Sequence, residues 1–164
     1  MTIKLLGHTS PNGSNEKLSE HSEAVATTTG QFAEKFGAGD FGFAAGLLHD
    51  LGKAKPKFQA YLLGKRGSEP HSAEGALFAI QHYRKACPKP FDAEIGRLLA
   101  FAIAGHHAGL ANGRAVSSGT LPLNERLESA HELAPWFDLS ELPVFNGPPA
   151  RPCSSSRVCF PRGR

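Results

Sequence analysis

An apolar stretch, AAGLLHDLGKA (residues 44–54), ends in a His-Asp pair followed by a glycine and a lysine. Neighbouring imidazole and carboxylate groups at the end of a buried helix can reach one divalent metal ion. The imidazole supplies a borderline-soft nitrogen, and the carboxylate a hard oxygen that can bridge to a second ion. A His-Asp dipeptide is common by chance, so its weight lies in its company. His21 lies upstream of His49 and Asp50, with His71 and the pair His106-His107 downstream, so five of the eight histidines fall in this series. Each is expected at the end, or on one face, of a helix. Six nitrogen and oxygen ligands exceed what one tetrahedral zinc needs, and no thiolate accompanies them; they suit a two-ion site better than a structural zinc. Two ions about 3.5–4 Å apart can clamp the non-bridging oxygens of a phosphodiester. Lys53 follows Asp50 closely enough to hold its ammonium near that phosphate as a charge clamp. The chemistry within reach is that of a metal-dependent phosphohydrolase or nuclease, with Mn, Ni, Co, Fe and Mg all open as the ion. His8, His82 and His131 lack such company and read as ordinary core or surface residues.

The elements that must position these groups read as helices. A first helix is expected over 18–36, where His21, Val25, Thr28, Phe32 and Phe36 recur at spacings of four and three and place His21 on the core-facing stripe. Gly37 and Gly39 end it. A second runs over 40–51, with Asp40 as N-cap and Gly52 as the stop. Pro56 opens a short helix to Leu63, closed by Gly64. A fourth covers 72–86, just after His71, and is broken by Pro88 and Pro90. Asp92 then caps a fifth that reaches His106, with Ile95, Leu99, Ala102 and His106 on one face. A sixth spans 123–134. No segment shows strand alternation, and residues 1–17, with the turn-rich run Ser10–Asn15, read as a loop leading in. The fold class is therefore all-α, a helical bundle whose inward stripes can bring six ligands to one centre.

Composition sets the frame. The chain has 164 residues, 40% hydrophobic and 20% charged, which is room for one globular domain with a real core. Neither a signal-peptide pattern nor a membrane-length apolar run is present, so a cytoplasmic location is the expectation. Three cysteines (Cys87, Cys153 and Cys159) show no CxxC spacing and make an odd count, which argues against a disulfide framework. The net charge of +3 misleads, because residues 142–164 carry Arg151, Arg157, Arg162 and Arg164 and no acid. With those four set aside, 14 of the 18 basic residues face 15 acidic ones, leaving the body near −1. The basic balance belongs to the end of the chain and does not argue for a nucleic-acid surface on the body. Residues 135–164, rich in proline and arginine, read as a disordered or non-native end, such as a cloning or frameshift product or a truncated gene, rather than as a functional basic tail. Within the body, Lys53, Lys55, Lys57, Lys65 and Arg66 cluster after the His-Asp pair. A rim that tracks a phosphate backbone and a solvated helix face explain them equally well.

Five strings appear in order: EHSEAVA (Glu20 to Ala26), FAEKFG (Phe32 to Gly37), AGLLHDLGKAKPKFQAYL (Ala45 to Leu62), HSAEGA (His71 to Ala76) and IAGHHAGL (Ile103 to Leu110). Together, and with PLNERLESA (Pro122 to Ala130), they resemble the HD nuclease domain of the CRISPR-associated type I interference helicase–nuclease, over roughly residues 18–134. The FQ after HDLGK, the HSxxGA box and the AGHHAGL box are more specific than the His-Asp pair itself. The resemblance implies an HD-domain helical bundle with a central two-metal site that degrades single-stranded DNA in antiviral defence. It also implies two partners, a superfamily 2 helicase and an RNA-guided surveillance complex that recruits it to target DNA. The helicase would act in trans, since the chain holds no Walker-type Gly-Lys-Ser/Thr motif. Carried over by position, His21, His49 and Asp50 would hold one ion. Asp50 would bridge to a second, held by His71, His106 and His107, and Lys53 matches the family's lysine.

The chain also departs from that pattern. Family members carry a further aspartate in a late segment resembling LxDADxxDT, whereas Asp138, in WFDLSELP, is the only aspartate here after Asp92. The chain thus reads as the front part of the nuclease domain, incomplete at its C-terminal end, with weaker metal binding and exposed apolar core surface expected. Two other readings stand beside it. One is a general HD phosphohydrolase acting on nucleotides or cyclic dinucleotides, which shares the His…HD skeleton but not these flanks. The other is a non-catalytic remnant that survives as a folded binding module.

Overall fold

Small side chains decide how the first two long helices, α1 (Leu18–Glu34) and α2 (Gly39–Leu48), meet. The structure is a computed structural model that describes residues 5–10, 14–67, 69–86, 90–111 and 121–145. On α1 the buried residues are Leu18, Ser22, Ala26 and Ala33. Opposite them, a Cβ on Gly42 would lie 2.4 Å from Thr29 O, and one on Gly46 would lie 2.6 Å from Ala26 Cα. Backbones approach this closely only where one partner lacks a side chain. The Thr29 hydroxyl then reaches across and donates to Gly42 O at 2.7 Å. This seam corrects the stripe expected from spacing. Thr28 is exposed, and Phe32 and Phe36 are 62% and 57% exposed. The phenylalanines dominate the hydrophobic pattern, but the narrow gap between the helices admits only small residues.

Beyond α2 the chain tightens into a 3-10 helix, Leu51–Ala54, followed by α3 (Pro56–Leu62), α4 (Ser72–Ala86), α5 (Pro90–Gly105), α6 (Leu123–Glu128) and a second 3-10 helix, Leu139–Glu141. One core cluster runs through Leu47, Leu48, Tyr83, Ile95, Leu99, Ile103 and Leu123, all nearly free of solvent. Helix boundaries differ from expectation where a capping residue was invoked. Ala38, not Asp40, precedes α2, and Asp40 falls in its first turn. Helix α5 begins at Pro90, whose fixed φ suits a first helical position, so Asp92 lies inside it. Helix α6 stops at Glu128, well short of Ala134. Leu98 and Leu110 line an apolar cleft of about 490 Å³ together with Phe41 and Phe101.

The mainly helical architecture carries one exception. Residues expected to form a leading loop include an antiparallel hairpin, β1 (Leu6–Thr9) and β2 (Asn15–Lys17). Leu6 pairs with Lys17, His8 with Glu16 and Thr9 with Asn15, with a bulge between Leu6 and His8. Strands of four and three residues are too short to display an alternating pattern. Of the turn-rich run, residues 11–13 lie outside the described residues, and Ser10 N–H donates to Ser14 O at 2.9 Å.

Part of the segment read as tail, residues 138–145, packs against the helices. Asp138 caps the second 3-10 helix, its Oδ1 accepting from Ser140 N–H at 2.9 Å, while Glu141 Oε1 accepts from Asp138 N–H at 3.2 Å. Leu142 and Phe145 join the core cluster, and Tyr83 OH donates to Pro143 O at 3.2 Å. Their irregular spacing has no helical period, which is why the segment reads as tail in the sequence. Residues 146–164, and with them the basic tail, lie outside the described residues, as do all three cysteines. Among the described residues no helix is long and apolar enough to cross a membrane.

Candidate metal centre

Four helix ends converge on Asp50. His21 stands in the first turn of α1, His49 is the residue after α2, and Asp50 precedes the first 3-10 helix. His71 lies just before α4, and His106 and His107 form the turn after α5. Helix ends suit this task because their side chains leave the interhelical seams and project into the common space where the elements meet.

Asp50 is 2% exposed, and its two oxygens face different neighbours. Oδ2 lies 3.0 Å from His49 Nε2 and 3.3 Å from His21 Nε2. Oδ1 lies 3.3 Å from His71 Nε2 and 3.7 Å from His106 Nε2. His107 Nε2 stands 3.0 Å from His71 Nε2. Two ligand groups result: His21, His49 and Asp50, and separately Asp50, His71, His106 and His107, each with ligand atoms within 4.8 Å of one another. All six residues singled out by spacing are therefore brought together, with Asp50 shared.

Electrostatics fit a cation at this point. His49 Nδ1–H and His106 Nδ1–H donate to Gly46 O and Ile103 O, each at 2.7 Å, which leaves the Nε2 of each ring facing the carboxylate. Burial pushes the His106 pKa down to about 4, against the donation to Ile103 O that raises it, so this ring is neutral at pH 7. Burial alone would push the Asp50 carboxyl up, but the His49, His71 and Lys53 side chains around it favour the ionised form and hold it well below the usual carboxylate range. Asp50 Oδ1 is buried and has no hydrogen-bond partner. The Nε2 lone pair of the neutral His106 ring faces the anionic Oδ1, and the two repel unless a positive charge lies between them. The residues present thus fit divalent ions, the donors being nitrogen and oxygen with no sulfur.

Lys53 lies beside Asp50 and lines the same cleft as His71 and His107. Its ammonium lies 2.7 Å from Asp50 Oδ2 and donates to Gly7 O at 3.0 Å, so it neutralises the carboxylate and ties it to the hairpin.

Several supporting residues escaped the sequence reading. Gln59 Nε2 donates to Leu6 O at 2.9 Å and to Lys53 O at 2.7 Å, while its Oε1 accepts from Leu6 N–H at 2.9 Å. One amide thereby clamps the hairpin to the turn carrying Lys53. Lys55 is buried and bridges Glu74 at 2.6 Å and Glu69 at 3.2 Å, also donating to Pro70 O, which holds the segment entering His71. Gly52 lets that segment pass, since a Cβ there would lie 2.1 Å from His71 O. Arg126 Nη1–H donates to Ala104 O at 2.6 Å, anchoring the end of α5 beside the two histidines. Glu16 Oε2 accepts from His21 Nδ1 at 3.1 Å. Gln59 and Gly52 sit in the string HDLGKAKPKFQ, where a signal existed; Glu16 lies in the unrecognised hairpin, where none did. Asp138 is not part of either ligand group, being engaged as a cap.

The family model for the HD domain matches residues 18–133, most of the chain. The chain belongs to the HD-domain family, whose members are metal-dependent phosphohydrolases, and the clustered His and Asp ligands are where it would hold metal. A comparison with curated proteins finds no match.

Proposed function

We propose that this chain is a metal-dependent HD nuclease that degrades single-stranded DNA by two-metal phosphodiester hydrolysis, working in the cytoplasm in type I CRISPR antiviral defence. The observation that carries the reading is the division of Asp50, with Oδ2 beside His21 and His49 and Oδ1 beside His71 and His106. One carboxylate shared between two imidazole sets suits a pair of ions. Bound divalent ions would polarise the phosphoryl group and lower the pKa of water. The protein's part is to hold the imidazoles and an ionised carboxylate in place. Nδ1 donations to backbone carbonyls fix the tautomers of His49 and His106, and Lys53 orients Asp50. The DNA substrate, a superfamily 2 helicase acting in trans and an RNA-guided surveillance complex are supported by the strings HDLGKAKPKFQ, HSAEGA and AGHHAGL.

The test is degradation of circular single-stranded DNA with Mn, Ni, Co or Mg, comparing the parent with Asp50→Ala. Cleavage by the parent, lost by about 1,000-fold or more in the variant, is expected when a shared metal ligand is removed. Hydrolysis of mononucleotides or cyclic dinucleotides, with circular DNA left intact, would establish a general HD phosphohydrolase instead. No hydrolysis of either by a folded parent would make the chain a non-catalytic binding module.

A further inference from the structure

The five basic residues that follow the His-Asp pair do not act alike once the chain is folded. Lys53 is drawn onto Asp50, and Lys55 is buried against Glu74. Lys57 is exposed on α3, outside the cleft described next. Lys65 and Arg66, also exposed, lie in the turn beyond α3, and among the described residues neither head group makes an ion pair.

These last two residues line a cleft of about 590 Å³ together with His71 and His107 of the candidate metal centre. The hairpin lines it too, at Gly7, His8 and Thr9. Tyr61 also lines it, 43% exposed, its ring edge-on to the buried Phe58 with centroids 5.8 Å apart. Phe58 in turn lies 4.7 Å from the His71 ring. The cleft is thus walled by cations and an exposed aromatic ring, and it ends at metal-ligating imidazoles. A positive groove with an aromatic platform is how proteins hold a single strand, the cations following phosphates and the ring stacking a base. A duplex offers no unstacked base to such a ring.

We infer that this cleft is the entry groove for a single-stranded polynucleotide, with Lys65 and Arg66 binding backbone phosphates and Tyr61 stacking the base next to the metal centre. The inference rests on the nuclease reading and deepens it, since it names the surface that delivers the strand and the residues that select single strands over duplex.

Binding of fluorescein-labelled dT20 to the full chain in EDTA, measured by anisotropy, separates recognition from hydrolysis. Lys65→Ala/Arg66→Ala is expected to weaken binding about tenfold and to reduce the salt slope by about 1.4, as for two lost single-strand phosphate contacts. Tyr61→Ala is expected to lose at least about fivefold for dT20, with the weaker binding of a 20-base-pair duplex unchanged. Lys57→Ala serves as the control and should bind as the parent does. If the parent binds dT20 and degrades circular single-stranded DNA with Mn, but the double variant keeps parental affinity and salt slope, the cleft assignment is overturned and the nuclease reading stands. If the parent neither binds dT20 nor degrades the circle while hydrolysing nucleotides, both are overturned together. The three cleft residues are exposed, and far-UV circular dichroism should show each variant folded as the parent.

Discussion

Asp50 concentrates the chemistry of this chain in one side chain. A carboxylate at 2% exposure would ordinarily be costly, yet imidazoles face both its oxygens and an ammonium lies on one of them. The division of ligands gives a prediction that needs no substrate. In a calorimetric Mn titration the parent should take up two ions. His49→Ala should lose the ion beside Oδ2, and His107→Ala the ion on the other side, each leaving one. Asp50→Ala should weaken both by at least about 100-fold, since it belongs to both groups. Parental stoichiometry in both histidine variants would contradict a two-group centre. These ligands were legible before folding because His, Asp and their spacing carry the chemistry in their side-chain types. The contacts of Lys53 were not legible, because they depend on where the hairpin carbonyl of Gly7 lies.

Elements place these residues through close backbone approaches. The first 3-10 helix passes the segment before α4 only because Gly52 has no Cβ; an added one would meet His71 O at 2.1 Å and Glu74 Oε2 at 2.4 Å. Gly52→Ala should therefore cost about 1–3 kcal/mol, the usual range for overpacking, and should also weaken Mn binding by pushing His71 away from Asp50. Thermal unfolding and the Mn titration report the two effects separately. A variant that melts with the parent and binds Mn equally would show that this crossing does not position the ligand. Helices themselves were legible from apolar runs bounded by Gly and Pro, such as the stretch that becomes α2. Which face each would bury was less so. On α1 the eye follows Phe32 and Phe36, whereas the packing selects Ser22, Ala26 and Ala33 to match Gly42 and Gly46. A partner's shape, absent from a local pattern, makes that choice.

At the scale of the whole molecule, the core closes with residues that look like tail. Phe145 is 9% exposed and its ring lies 5.2 Å from that of Tyr83, itself 1% exposed. Phe145→Ala should cost about 3 kcal/mol in urea unfolding, as expected for emptying an aromatic site in a core. A loss below about 0.5 kcal/mol, the level of an ordinary surface change, would mean that residues 139–145 do not belong to the cooperative fold. The hairpin closes the other side, tied to the centre by the Gln59 amide and by Lys53. The start and end of the described chain thus each complete the bundle, one beside the candidate metal ligands and one against Tyr83 of α4.

The amino-acid sequence by itself determined the helical class, the order of the helices and the six residues able to hold metal, because apolar periodicity and ligand chemistry are local properties of residue types. Tertiary structure alone decided that Asp50 divides its oxygens between two imidazole sets and that Lys53 and Lys55 pair with carboxylates while Lys65 and Arg66 line the cleft. It alone decided, too, that a short hairpin and residues 139–145 join the fold. The physical reason is common to all of these. Each depends on a backbone or side chain brought from a distant part of the chain, and no spacing within a helix records where that partner will stand.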